Sequence, residues 1–139
     1  MASLPLISVV DDDESVRDSL QSLIRSVGLS VEVFPSAEEF LNSNHLRRTR
    51  CLILDVRMPG MNGFELHRQL RATLRDIPVI FITAHGNEAS RLQALKEGAM
   101  DYLYKPFSDE DLLNAIDAAL RLEVIKNSGD GLRGARTES

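Results

Sequence analysis

The sequence predicts an α/β fold, a doubly wound parallel sheet of five strands with helices on both faces. Five short apolar runs alternate along the chain with five amphipathic stretches. A strand that is separated from the next strand by a helix normally pairs with it in parallel, and the helices then cover both faces of the sheet. Five such units commonly adopt the open strand order 2-1-3-4-5, which we predict here.

Each element follows from a local pattern. Gly28 and Gly98 supply the C-terminal stops of two helices, and Ser36 with Glu39 forms a capping-box pattern that opens another. The predicted strands are residues 6–10, 29–34, 51–54, 78–83 and 101–105. The predicted helices are, approximately, residues 16–27, 36–44, 64–74, 88–97 and 108–122.

The last stretch of the chain differs in composition from the rest. Residues 126–139 contain few apolar side chains and show no hydrophobic period. Such a segment cannot bury enough apolar surface to balance the entropy of ordering it. We therefore predict one domain over residues 1–125 and a disordered tail or linker over residues 126–139.

Composition excludes several classes of protein. The net charge of −5 argues against a nucleic-acid-binding surface, which needs clustered Lys and Arg. A single cysteine, Cys51, excludes an internal disulfide framework and is typical of a reducing cytosol. No apolar run approaches the roughly 20 residues of a membrane span, and the start lacks the basic region of a signal peptide. We expect a cytoplasmic protein with no membrane contact.

Charged and polar residues stand where the predicted strands end. Asp11 and Asp12 follow strand 1, Asp55 ends strand 3, Thr83 ends strand 4 and Lys105 ends strand 5. In the order 2-1-3-4-5 the carboxyl ends of strands 1 and 3 are neighbours at the point where the order reverses, and ligands bind there. The five side chains are therefore predicted to converge on one rim of the sheet.

This set of residues favours phosphoryl chemistry. Three carboxylates at one rim need cations, and oxygen ligands suit Mg²⁺, or Mn²⁺, better than zinc. Lys105 and the Thr83 hydroxyl would stabilise the charge of a phosphoryl group. A carboxylate can itself be the nucleophile. Asp55 is the predicted nucleophile, because it stands alone before a turn with the other acids facing it.

Four motifs resemble those of a known family, the receiver domains of two-component response regulators. VVDDDE, LDVRMPGMNG, VIFITA and DYLYKPF occur in the order and spacing typical of that family, and the resemblance covers about residues 5–122. SAEEFL, TAHGN and GAMDYLYKPF are most similar to receivers of nitrogen-fixation and aromatic-degradation regulators that carry a C-terminal helix-turn-helix effector. The resemblance implies a flavodoxin-like receiver fold.

The resemblance also implies a role for each acid at the rim. Asp55 matches the phosphoacceptor, which receives its phosphoryl group from a sensor histidine kinase. Asp12 matches a direct Mg²⁺ ligand, together with Asp55 and the backbone carbonyl of Arg57. Asp11 matches an acid that usually acts on the metal through water, and Asp13 is expected to turn away and begin the first helix.

The remaining implied roles concern switching. Thr83 matches the hydroxyl that moves toward the phosphoryl group, and Tyr102 matches the aromatic residue whose rotamer reports that movement. Lys105 matches the lysine that pairs with the phosphate, and the Lys105–Pro106 bond is cis in the family. Activation is expected to change the face formed by helix 4, strand 5 and helix 5, and to form a homodimer there.

Two other functions remain as alternatives to this signalling role. An aspartyl-phosphate phosphatase or phosphotransferase on a similar fold would typically place a second acid two residues after the nucleophile, where this chain has Arg57. A flavin- or nucleotide-binding module would have a Gly-rich or Ser/Thr-rich loop after strand 1, where this chain has DDDE. We expect a receiver that catalyses only its own phosphorylation and dephosphorylation and is otherwise not an enzyme. His67, on a helix face, is expected to be solvated.

Overall fold

One five-stranded parallel sheet in the order β2-β1-β3-β4-β5 forms the centre of the molecule, so the predicted fold class and strand order are confirmed. The computed structural model describes residues 5–73 and 76–128, and for residues 123–128 the backbone alone. The strands are β1 (Leu6–Val10), β2 (Ser30–Phe34), β3 (Thr49–Asp55), β4 (Val79–Thr83) and β5 (Asp101–Tyr104). The helices are α1 (Glu14–Ser26), α2 (Ala37–Leu41), α3 (Gly63–Ala72), α4 (Glu88–Lys96) and α5 (Asp109–Ser128).

The sheet separates two hydrophobic layers because successive strand residues point to opposite faces. One layer joins the sheet to α2, α3 and α4, and it includes Val10, Leu54, Phe81, Phe40 and Leu66. The other joins the sheet to α1 and α5, and it includes Val9, Ile53, Ile82, Ile24 and Ile116. Burying one such side chain stabilises the fold by about 1.5–3 kcal/mol relative to leaving it exposed. The rim of the sheet is thereby held between two packed layers.

The amino end of β3 differs from the prediction. The strand begins at Thr49, two residues before the predicted start, and Thr49 is buried. Its hydroxyl donates to the carbonyl of His45 and lies 2.7 Å from the hydroxyl of Ser8 on β1. This pairing satisfies two buried hydroxyls, which is why a polar residue can extend an apolar strand. Cys51 is also buried, and burial raises the pKa of its thiol to about 12.

Three helix ends also differ from the prediction. Helix α2 ends at Leu41, short of the predicted Asn44, and α3 ends at Ala72, while Leu74 lies outside the described residues. Helix α5 continues through Ser128, so the predicted tail does not begin at residue 126. Lys126, Asn127 and Ser128 can all extend a helix, and the first strong helix breaker is Gly129. Residues 129–139 lie outside the described residues, and their assignment as a tail stays a prediction.

Within residues 5–73 and 76–128, no helix combines the length and the apolar composition that crossing a bilayer requires.

Candidate functional site

The three consecutive acids after β1 point to different partners. Asp11 is fully buried, and its Oδ1 accepts a hydrogen bond from the backbone N–H of Asp13 at 2.9 Å. Asp12 is exposed. Asp13 is the N-cap of α1, because its side chain accepts from the backbone N–H of Ser15 at 2.9 Å. The Ser15 hydroxyl also donates to Asp13, at 2.8 Å, and this bond, followed by the backbone one, lowers the pKa of the Asp13 carboxyl. The acid run is thus divided between a site and a helix cap, and Asp13 turns away as predicted.

Asp55 is fixed at the carboxyl end of β3 by close backbone packing. Asp55 is 5% exposed, and it pairs with Ile82 of β4 in the sheet register. Gly63, the first residue of α3, lies so close that a Cβ there would be 2.3 Å from the carbonyl oxygen of Asp55. The N–H of Gly63 also donates to the carbonyl of Val56 at 2.9 Å. The position of the Asp55 backbone therefore depends on a residue without a side chain.

Carboxylate oxygens of Asp11, Asp12 and Asp55 lie within 4.8 Å of one another. Lys105 is the lysine at this cluster, and its Nζ is 2.9 Å from Asp11 Oδ2 and 3.9 Å from Asp55 Oδ1. Three carboxylates and one ammonium leave a formal charge of −2 when all are ionised. A hard divalent cation with oxygen ligands balances that charge, so this donor set fits Mg²⁺ or Mn²⁺ and offers no soft ligand.

The electrostatics of the cluster act most strongly on Asp55. Burial of the carboxyl and the neighbouring Asp11 carboxylate raise the pKa of Asp55 to about 7, while Lys105 opposes the rise. The backbone N–H of Arg57 points at Asp55 Oδ1 from 3.4 Å and also opposes it. A carboxyl with this pKa exchanges its proton near neutral pH. Binding of a cation beside it would favour the ionised form.

The hydroxyl and the lysine of the predicted set end the next two strands. Thr83 is 1% exposed, and its Oγ1 accepts from the backbone N–H of His85 at 3.1 Å. The carbonyl of Thr83 accepts from the backbone N–H of Lys105 at 2.8 Å, which continues the pairing of β4 and β5. The Lys105–Pro106 peptide bond is cis. The five predicted side chains are thus brought to one rim, as parallel strand ends require.

Tyr102 lies inside the molecule, on β5. It is 4% exposed, pairs with Phe81 across β4 and β5, and places its hydroxyl 2.7 Å from the hydroxyl of Ser90 on α4. Its ring is 6.2 Å from that of Phe81 and 5.4 Å from that of the exposed Tyr104. The ring of Tyr102 thus lies between the buried Phe81 of β4 and the exposed Tyr104 of β5.

Sequence reasoning missed several residues that hold the site in place. Gly63 is not among the residues predicted from the sequence, although the preceding Asn62 forms a capping box with Glu65 that marks the start of α3. On α1, Arg17 donates a hydrogen bond to the carbonyl of Asp11 at 2.8 Å. No pattern in the sequence identifies Arg17, because an arginine on an amphipathic helix is ordinarily solvated.

The expectation for His67 was wrong. The side chain is 4% exposed and its ring packs 5.4 Å from that of Phe81. Burial, followed by the nearby Arg71 guanidinium, lowers the pKa of His67, and its Nδ1 has no hydrogen-bond partner among the described residues. Leu66, the preceding residue, and Leu70, one turn further on, are also buried on this helix. The apolar face of α3 is wide enough to include His67, which a helical period alone does not reveal.

Comparison with known proteins places this geometry in a family. The family model that describes the response regulator receiver domain matches residues 7–117 of this chain. The response regulator protein TodT of Pseudomonas putida is 50% identical over 117 residues, which are 84% of this chain and 52% of TodT. Nodulation protein W of Bradyrhizobium diazoefficiens is 48% identical over 114 residues, which are 82% of this chain and 50% of that protein.

A solved structure agrees with these relatives. The response regulator StyR superimposes with a TM-score of 0.85 at 43% sequence identity, over 96% of this chain and 67% of StyR. The family and the group of regulators expected from the sequence are both confirmed. This chain spans about half the length of the curated relatives that it matches. With its five-stranded sheet and acid cluster, the chain belongs to the family of response regulator receiver domains.

Proposed function

We propose that Asp55 accepts a phosphoryl group from a sensor histidine kinase. The observation that carries this proposal is the convergence of Asp11, Asp12 and Asp55 on one rim, with the Lys105 ammonium between Asp11 and Asp55. An oxygen of the Asp55 carboxylate forms a bond to phosphorus while the bond from phosphorus to the kinase histidine breaks. The product is an aspartyl phosphate.

Asp12, Asp55 and the backbone carbonyl of Arg57 would hold the metal of this reaction, Mg²⁺ or Mn²⁺, and Asp11 would act on it through water. A bound divalent cation supplies charge neutralisation for the phosphoryl oxygens. Asp11 and Lys105, in contact at 2.9 Å, hold each other beside the acceptor. Lys105 supplies a second positive charge to the transferring group, and its distance to Asp55 is short enough for a contact with a phosphoryl oxygen after transfer.

Switching follows from a new group on Asp55. The Thr83 hydroxyl, at the end of the neighbouring strand, can exchange its hydrogen bond from His85 for one to a phosphoryl oxygen. Tyr102 then reports the new arrangement of the loops that follow β4 and β5. A phosphoryl group shifts this equilibrium only to the extent that it interacts more favourably with one arrangement than with the other.

The output face is proposed to be α4, β5 and α5, where a phosphorylated homodimer forms. Leu92 on α4 is 53% exposed and Tyr104 on β5 is 41% exposed, so each of these two elements offers a large apolar side chain to a partner. Arg91, Lys96, Asp101 and Asp117 supply charges of both signs for a symmetric contact. We infer that the whole protein is a cytoplasmic transcription regulator whose DNA contacts lie outside this domain. Light scattering with and without beryllofluoride tests the dimer, and an unchanged mass would contradict it.

The aspartyl-phosphate phosphatase reading has less support. Such an enzyme needs an acid two residues after the nucleophile, and Arg57 is an exposed cation there. The other acids at the rim of the sheet, Asp11 and Asp12, follow β1 and not β3. The catalysis that we propose is limited to Mg²⁺-dependent phosphorylation and dephosphorylation of the domain itself.

Incubation with acetyl phosphate and Mg²⁺, followed by intact mass, tests the acceptor. We expect one phosphoryl adduct on the wild type, none on Asp55→Asn and slow, weak labelling of Asp12→Ala. The matched control is Asp13→Ala, which removes the neighbouring helix cap and should leave labelling nearly intact. Equal labelling of Asp55→Asn and wild type would eliminate Asp55 as the acceptor.

A further inference from the structure

The hydroxyl of Ser90 makes three polar contacts at the start of α4. It donates to the backbone carbonyl of Asn87 at 3.0 Å, accepts from the backbone N–H of Asn87 at 3.2 Å, and lies 2.7 Å from the hydroxyl of Tyr102. A serine hydroxyl has one proton to donate and two lone pairs. Either hydroxyl can be the donor in the third contact, because the Asn87 carbonyl also accepts from the backbone N–H of Arg91 at 3.0 Å. The three contacts together hold the Ser90 side chain in place.

The buried Tyr102 hydroxyl depends on this partner. At 4% exposure the residue has little access to water, and a buried phenol without a partner is strongly disfavoured. The ring is also held by contacts to Phe81 and Tyr104. Ring packing alone allows sliding and tilting, whereas the hydrogen bond to Ser90 selects one position for the phenol oxygen.

Gly86 provides the space that this position requires. A Cβ on Gly86 would lie 2.6 Å from the Tyr102 hydroxyl, 2.7 Å from Thr83 Cγ2 and 2.9 Å from Tyr104 Cε1. All three contacts are with side chains. The Tyr102 hydroxyl is the nearest of the three, so an alanine here conflicts most strongly with the buried tyrosine.

We propose that Ser90 is a positioning residue for Tyr102, and that its hydroxyl, together with the open space at Gly86, sets the balance between buried and exposed Tyr102. This deepens the proposed function, since the signalling consequence of Tyr102 rests on it. The hydrogen bond involves no group at Asp55, so the domain favours buried Tyr102 by its own contacts. The position of the tyrosine is set by α4 as well as by the acceptor site.

The chain offers a direct reporter of this balance. It contains two tyrosines and no tryptophan, so Tyr104→Phe leaves Tyr102 as the single intrinsic fluorophore. Acrylamide quenching of that fluorescence then measures the exposure of Tyr102. In this background, Ser90→Ala is expected to raise the ratio of exposed to buried Tyr102 by roughly two- to tenfold, the effect of one net hydrogen bond.

Two matched variants separate positioning from helix capping. Ser90→Thr keeps a hydroxyl and should restore the quenching of the parent. Asn87→Ala removes the side chain that caps Ser90 N–H at 2.8 Å but leaves the Ser90 hydroxyl opposite Tyr102, and it should also quench like the parent. Quenching of Ser90→Ala equal to the parent, or an equal increase in Asn87→Ala, would overturn the proposal.

Gly86→Ala gives an independent test, should Ser90→Ala fold poorly. Its Cβ should displace the Tyr102 hydroxyl and raise quenching at least as much as Ser90→Ala. Acrylamide quenching of Tyr102 in Gly86→Ala that equals that of the parent would also overturn the proposal. The same samples of the parent and Ser90→Ala are assayed for the acetyl phosphate adduct. Tyrosine quenching is measured before acetyl phosphate is added, so a failure to label Asp55 contradicts the proposed function and leaves the role of Ser90 to be decided by quenching.

Discussion

The acceptor side and the switch side of the rim are built differently. On the acceptor side, Asp11 and Asp55 end two paired strands, and the backbone of Asp55 is in direct contact with Gly63. On the switch side, Tyr102 is positioned by side chains: the Ser90 hydroxyl and the neighbouring rings. Backbone packed against backbone has no alternative arrangement of similar energy, but a side chain has other rotamers. The difference indicates that Asp11 and Asp55 are held rigidly, whereas the Tyr102 side chain can change its position.

The largest expected effect concerns the charge of the acceptor side. Burial and Asp11 raise the pKa of Asp55 to about 7 from an unfolded value near 3.8. The stability contributed by the protonated carboxyl is complete below about pH 4 and is lost as pH rises through 7. Asp55→Asn should therefore be more stable than wild type at pH 8, by at most about 4 kcal/mol, and equal to it below about pH 4. Urea unfolding at several pH values measures this.

Mg²⁺ provides the control for that prediction. A cation that binds the folded acid cluster stabilises the folded state by mass action. Millimolar Mg²⁺ should thus raise the wild-type free energy of unfolding at pH 8 and have much less effect on Asp55→Asn. An equal response of both proteins would show that the ion acts elsewhere.

A pair of identical substitutions compares the two sides directly. Gly63→Ala forces a Cβ to within 2.3 Å of the backbone oxygen of Asp55, so β3 or α3 must shift. We expect a loss of about 3 kcal/mol in stability and a large loss of acetyl phosphate labelling. Gly86→Ala meets side chains alone, which can turn aside, so it should cost less, about 1–2 kcal/mol, and reduce labelling less while Tyr102 becomes exposed. Equal destabilisation by the two variants would remove the distinction between the rigid and the adjustable side.

The smallest expected effect lies beneath the switch side, at His67. Burial and the Arg71 guanidinium lower the pKa of this imidazole, with Arg68 adding to the effect and Glu97 opposing it. A depressed pKa means that stability is lost as pH falls below about 6.5, because the unfolded chain binds the proton first. His67→Leu should therefore lose less stability than wild type between pH 8 and pH 5. If the free energy of unfolding falls equally with pH in the variant and in the wild type, His67 is not the cause of the loss. Urea unfolding at pH 8 and pH 5 measures this.

The sequence was sufficient to predict that the acids of the acceptor side meet, although not the residues that hold them. Each acid there follows directly from a strand end, and parallel strands place their ends at one edge whatever the details of packing. The turn of Asp13 away from the site was also predictable, because an acid before a helix caps it. The fold class needed only the alternation of apolar runs with amphipathic stretches.

The sequence was not sufficient where a residue acts through a distant neighbour. The burial of His67 depends on how closely α3 approaches β4, and the early start of β3 depends on a hydroxyl that Ser8 supplies 41 residues away. Gly63 and Gly86 are ordinary turn glycines in the sequence, and only the structure shows that one faces backbone and the other faces side chains.

The sequence by itself determined the sheet, its strand order, and the acids, hydroxyl and lysine that meet at its rim, because these follow from hydrophobic period and chain direction. Only the tertiary structure decided how the site is supported and how Tyr102 is held. Those features depend on contacts between side chains far apart in the chain, such as Tyr102 with Ser90 and Lys105 with Asp11. Local pattern fixes which way a residue points, but the partner that it meets is set by the packing of helices on the sheet.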